Sequence, residues 1–168
     1  MGIYYDFETT MGMFDVRYNG SFYNKFEQTA SGALSTAVVA AKEADPTITY
    51  PLEGLGDLLG INGNQNKRHS ASISWRKDDW AASFQGFKIG GFDQILSNGT
   101  PFRIPSMTTY NAKFDYGFEF GETDMRLRLG INNVTDERAP IADESFGFAK
   151  DAHRDWGRYY YLDLKISL

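Results

Sequence analysis

The sequence predicts an all-β chain of about seven antiparallel strands in up-and-down order, forming a segment of a transmembrane β-barrel. Three observations predict it. Apolar and polar residues alternate with unusual regularity in stretches along the chain, the mark of strands with two unlike faces. The long connections fall on every second link, so they gather at one end of the sheet. Aromatic residues make up 15% and glycine is plentiful at 17, with only 5 prolines, a balance that favours strands and turns.

The strands follow in order. In 2–9, Ile3, Tyr5 and Phe7 oppose Tyr4, Asp6 and Glu8. In 13–27, the even positions Phe14, Val16, Tyr18, Gly20, Phe22, Asn24 and Phe26 oppose Asp15, Arg17, Asn19, Ser21, Lys25 and Glu27, with Met13 and Tyr23 as exceptions. In 68–76, Ala71, Ile73 and Trp75 oppose Ser70, Ser72, Ser74 and Arg76; in 79–88, Trp80, Ala82 and Phe84 oppose Ser83 and Gln85. In 106–120, Tyr110, Ala112, Phe114, Tyr116, Phe118 and Phe120 oppose Asn111, Lys113, Asp115 and Glu119. In 124–133, Met125, Leu127, Leu129 and Ile131 oppose Arg126, Arg128 and Asn132. The closing strand, 157–168, sets Leu162, Leu164, Ile166 and Leu168 against Asp163, Lys165 and Ser167.

Short turns are read at 9–12, 77–78 and 121–124, and long loops at 28–67, 89–105 and 134–156. Within the first loop, the Ala- and Glu-bearing stretch 32–45 reads as a short helix that Pro46 helps to end; 52–66 reads as irregular. The turns suggest a register: Phe120 opposite Met125, Phe118 opposite Leu127, Glu119 opposite Arg126, Trp75 opposite Trp80 and Arg76 opposite Asp79.

A strand in lipid leaves no backbone group to water, so its sheet must close, and about 9–11 tilted residues cross the hydrocarbon layer. The large aromatics on one face suit lipid. The charges on the other, Lys113, Asp115, Glu119, Arg126, Arg128, Asp163 and Lys165, suit a hydrated lumen, where they read as a ladder of ion pairs more than as a transport path. Trp75, Trp80, Phe118 and Phe120 beside the short turns, and Tyr159 and Tyr161 at the other end of the last strand, read as interfacial girdles. The rival folds are a soluble β-sandwich that binds a ligand and a small free-standing barrel with a structural or adhesive role. The latter needs an even strand number, with an eighth strand inside 28–67.

Other classes find little support. A net charge of −5 and a pI near 5.0 argue against nucleic acid. Without cysteine there is no disulfide framework or thiolate metal site. The N-terminal MGIYYDFETT lacks the basic and apolar regions of a signal peptide, and 33–41 is too short for a transmembrane helix. His153 with Asp143, Glu144, Asp151 and Asp155 reads as a solvated acidic loop before a metal site, and His69 as interfacial. Gly54, Gly56 and Gly60 have the wrong spacing for a nucleotide loop. Asn98-Gly-Thr100 and Asn133-Val-Thr135 read as chance matches to glycosylation acceptors. No spacing yields a catalytic triad or carboxylate pair, so no enzyme and no cofactor is expected.

The stretch 127–168 carries a more specific signal. Its strand ends in Gly130-Ile-Asn132-Asn133, then Asp136-Glu137, a loop, Gly157-Arg158, the cluster Tyr159, Tyr160 and Tyr161, and the alternating final strand. This closely resembles the C-terminal end of TonB-dependent outer-membrane receptors, and 72–88 and 105–120 are similar to that family's late strands. The resemblance implies a barrel of about 22 strands around a plug. It implies outer-membrane uptake of a ligand such as a ferric siderophore, haem, cobalamin or carbohydrate, energised through the TonB complex. It also implies a fragment, the last third of the barrel, with the plug and TonB box absent. Tyr160, Leu162, Leu164, Ile166 and Leu168 then form the lipid-facing C-terminal signal read by the barrel-assembly machinery, with Leu168 where the family usually has Phe. Loops 28–67, 89–105 and 134–156 would help capture ligand.

Overall fold

A computed structural model describes residues 1–48 and 54–167. The long strands are β1 (Gly2–Thr9), β2 (Gly12–Phe22), β5 (Lys67–Lys77), β6 (Trp80–Ile89), β9 (Met107–Phe120), β10 (Thr123–Asn132) and β11 (Tyr159–Ser167). They form one seven-stranded sheet in the order β1-β2-β5-β6-β9-β10-β11, antiparallel at every step. The sheet is open. Its edge strands β1 and β11 run in the same direction, as the first and last of an odd antiparallel series must.

Period-2 alternation sends successive side chains to opposite faces, and the register lines up like with like. Phe7 pairs with Phe14 and Phe14 with Trp75; Ile73 pairs with Phe84 and Phe84 with Ala112. Phe114 pairs with Leu129 and Leu129 with Leu162. One face is therefore apolar across all seven strands. Aromatic pairs reinforce it, with Phe7 stacked on Phe14 at 5.1 Å and Trp80 on Tyr116 at 4.0 Å between ring centroids.

The expected register is off by two residues at both tested hairpins. Met125 pairs with Phe118, and Glu119 faces Asp124 while Arg126 faces Gly117. Trp75 pairs with Ala82, and Arg76 with Ala81. The cause is turn chemistry. Gly121 and Asp78 take left-handed φ values of 66° and 50°, which lets two-residue loops at 121–122 and 78–79 close the hairpins. A shift of two keeps every side chain on its face, so the faces survive the error. The turn at 10–11 is equally tight. It is tied down by Trp75 Nε1 donating to Met11 O at 2.7 Å, and only glycine fits at position 12, where a Cβ would meet Arg76 O at 2.5 Å.

Other boundaries move as well. The strand expected over 13–27 stops at Phe22, and Glu27–Gln28 is a separate short strand, β3, paired with β4 (Gly56–Asp57). Thus 52–66, read as irregular, contributes a strand, although 52 and 53 lie outside the described residues. β3 and β4 stand apart from the main sheet and supply no eighth strand. The helix α1 (Ala33–Ala44) is present as expected. The loop 89–105 holds an unforeseen hairpin, β7 (Phe92–Ile95) with β8 (Pro101–Ile104). Leu168 lies outside the described residues.

Apart from Met107, where β9 begins at the crown end, the buried apolar residues do not lie in the sheet. Phe92, Ile104, Ala142 and Ala149 cluster among the long connections, which form a crown at one end of the strands. On the apolar face, Leu129 and Leu164, each at mid-strand, remain 49% and 50% exposed.

Candidate functional site

Two regions gather polar side chains: the crown and the polar face of the sheet. The crown is built around the residues of the C-terminal motif. β10 ends at Asn132, and Asn133 turns the chain with φ of 53°, a conformation Asn tolerates better than other non-glycine residues. Asn133 is buried. Its amide Nδ2 donates to Glu137 O at 2.7 Å and to Trp156 O at 3.0 Å, and its Oδ1 accepts from Glu137 N at 2.9 Å. One side chain thus clamps both ends of the loop 133–158.

The remaining motif residues tighten the same clamp. Asp136 Oδ1 accepts from Arg158 N at 2.6 Å, and Arg158 Nη1 reaches Val134 O at 3.3 Å. A Cβ on Gly157 would come within 2.9 Å of Asp136 Oδ1, so glycine permits the close approach. Arg138 forks onto the Asp155 carboxylate, which also accepts from Ala139 N at 2.8 Å. The guanidinium, and then the backbone donor, hold Asp155 down to a pKa of about 2. Glu137 contributes its backbone to the clamp. Gly130 lies beneath the Tyr161 ring, which a Cβ would strike.

Inside the crown, His153 is 1% exposed and stacks on Phe92 at 5.9 Å. This corrects the expectation that places it in a solvated acidic loop. Neither ring nitrogen has a hydrogen-bond partner among the described residues, nor does Nε2 of buried Gln65. Burial, and secondarily the charge of Arg68, lower the proton affinity of His153, while Glu144 opposes them. Arg68 itself donates to Gln65 Oε1 at 2.7 Å. Of the acidic residues set beside His153 in the sequence, Asp155 is taken by Arg138, and no metal-holding cluster occurs among the described residues.

The three loops are joined. Asn62 N donates to Asp93 O, Ile95 N to Asn62 Oδ1, and Gln94 exchanges hydrogen bonds with the backbone of Asp143. Between them lies a cavity of about 300 Å³ lined by Asn62, Phe92, Gln94, Glu144, Asp151 and Ala152. Its mixed amide, carboxylate and aromatic lining can hold a polar organic ligand.

On the polar face, Asp115 accepts from Arg128 Nε at 2.7 Å, with Lys113 Nζ at 3.9 Å. Asp163 is paired in register with Arg128, and Lys165 with Arg126. The expected Glu119–Arg126 partnership is absent from the register, because Glu119 faces Asp124. Tyr159 and Tyr161 share this face with Asp163, whereas Tyr160 lies on the apolar face beside Ile131. The girdle expected of Tyr159 and Tyr161 therefore falls on the polar face and not on the apolar one, since neighbours on a strand must point oppositely. Trp75, Trp80, Phe118 and Phe120 do share the apolar face near the short turns, and Leu162, Leu164 and Ile166 share it along β11.

Periodicity could not find His153, Gln65, Gln94 or the β7–β8 hairpin, because their contacts join distant loops. The Asn132-Asn133 signal did mark the clamp. No family model matches the chain, and neither a curated protein nor a solved structure matches it.

Proposed function

We propose that the chain is the C-terminal portion of the β-barrel of a TonB-dependent outer-membrane receptor, acting in active uptake of a small ligand such as a ferric siderophore. The observation that carries this reading is the sheet's bare apolar face. It spans seven strands, none of its large residues is buried among the described residues, and the opposite face is charged. A soluble sandwich would cover that face with a second layer. Lipid covers it in a membrane barrel.

The odd strand number favours a share of a larger barrel over a free-standing one. β1 and β11 run the same way, so they cannot close antiparallel on each other. On this reading the missing strands, the plug and the TonB contact belong to a longer protein, and the barrel-assembly machinery reads β11. The crown is the outward ligand-gathering end. The chain performs no catalysis and needs no cofactor.

The test has two stages. Fractionation of the source cells places the gene product in the outer membrane, resistant to alkaline wash; recovery as a monodisperse soluble protein overturns the reading. Excising 139–154 in the gene then abolishes growth on ferric siderophores as iron source while leaving membrane insertion intact. Unimpaired growth refutes uptake of that ligand class.

A further inference from the structure

The apolar face carries no Asp or Glu among the described residues, although the chain holds 22 acidic residues against 17 basic. The sheet's carboxylates, Asp6, Glu8, Asp15, Asp115, Glu119, Asp124 and Asp163, all lie on the other face. What interrupts the apolar face, beyond Thr9, Thr108 and Thr123, is basic, and it sits at the ends of strands. Lys77 stands at the short-turn end, where Nζ donates to Thr10 O at 3.1 Å. Lys67, His69 and Lys88 stand together at the crown end.

His69 and Lys88 are direct cross-strand partners, and Gly90 N donates to Lys67 O. Lys67 and Lys88 are therefore diagonal neighbours, about 7–8 Å apart at the backbone, which lets both side chains reach one anion. Both are exposed, and neither forms an ion pair or side-chain hydrogen bond among the described residues. Aromatic rings frame them. The Tyr18 hydroxyl bonds His69 Nδ1 at 2.7 Å, and Phe22 meets the His69 ring edge-on at 5.3 Å. Further along the same face the small Ala82 and Ala112 lie between Trp75, Phe84, Phe114 and Ile131. They leave a shallow apolar groove of about 330 Å³.

We propose that Lys67 and Lys88 bind the phosphate of an anionic membrane lipid, with His69 beside it and an acyl chain of that lipid lying along the groove. Charge complementarity carries the assignment. A face cleared of carboxylates repels no phosphate, and two cations at the edge of an apolar surface meet a lipid head group where its chains begin. The inference rests on the membrane reading above, and the experiment separates the two.

The full chain is floated with vesicles of pure phosphatidylcholine and with vesicles containing about 20 mol% phosphatidylglycerol. Each basic residue near an anionic surface strengthens binding about fivefold at low salt. The anionic vesicles are therefore expected to bind more tightly. Lys67→Gln/Lys88→Gln is expected to lose at least about tenfold of that gain, and the charge-matched Lys42→Gln/Lys150→Gln to keep it. Equal loss in both double variants, or none in the first, overturns the site while flotation on neutral vesicles upholds the apolar face. Flotation on neither vesicle overturns both. Abolition of the gain by about 10 mM inorganic phosphate at matched ionic strength overturns the assignment to a lipid head group.

Discussion

The crown and the sheet solve the same problem in opposite ways. The crown buries its own apolar side chains, Phe92, Ile104, Ala142 and Ala149, beneath loops joined by side-chain clamps. Among the described residues the sheet buries no large side chain of its apolar face and leaves both edges unpaired. The crown thus packs its apolar side chains against itself, while the sheet's apolar face is left uncovered among the described residues. An open sheet with free edges is also prone to associate with other strands. The comparison teaches where to look for function. Self-contained loops offer a shaped cavity, and an uncovered sheet offers a surface for a surrounding medium.

The largest effect expected comes from the crown's core. Phe92→Ala removes the ring that packs beneath His153 and should cost about 3–5 kcal/mol of local stability. Hydrogen exchange reads it as lost protection at Ala142 N and His153 N, with β10 amides unchanged. Equal loss in β10 would mean that crown and sheet unfold as one unit.

The sheet should respond to its medium in a way the crown does not. Leu127→Asp places a carboxylate at mid-strand on the apolar face and should cost about 2 kcal/mol in a bilayer. Its counterpart Arg128→Ala is expected to cost about 1–2 kcal/mol, because it strips the nearest donor from the almost buried Asp115. A Leu127→Asp penalty in bilayers no greater than that of Arg128→Ala in the same refolding assay would refute the assignment of faces.

The sheet was almost wholly legible in the sequence, and the crown almost wholly not. Alternation is local: Met125, Leu127, Leu129 and Ile131 reveal their common face without reference to any other strand. Register is less local. Opposite-charge pairing favours a register two residues away from the one that the left-handed Gly121 and Asp78 set at the two hairpins. The crown is held by contacts between loops far apart in sequence, such as Gln94 with Asp143, and no periodicity encodes them. Asn133 is the exception, since the motif marked it, though its role is to close a loop.

A smaller effect should appear with pH, and in the crown. His153 has a lowered folded-state proton affinity, so the unfolded chain binds more protons once pH falls below its ordinary value near 6.5. Stability contributed by the neutral ring is present above that pH and is lost as pH falls below it. Crown amide protection should decline from about pH 7 to pH 5. His153→Gln should flatten that slope, and a slope unchanged in this variant would assign the titration to another group.

The smallest effect separates the clamp from the core within the crown itself. Asp155 is held near pKa 2 chiefly by its bond from Arg138, then by Ala139 N. Its folded value lies below the ordinary one near 3.9, so its contribution is present above that pH and fades as pH falls towards 2. Arg138→Gln removes the first cause and leaves the second. The Asp155 carboxyl resonance should then titrate between about 2 and about 4, and protection near Phe92 at neutral pH should barely change. If that protection collapsed, the Arg138–Asp155 fork would be holding the core together, and the division between clamp and core would be wrong. If the midpoint did not move, the backbone donor alone would be setting it.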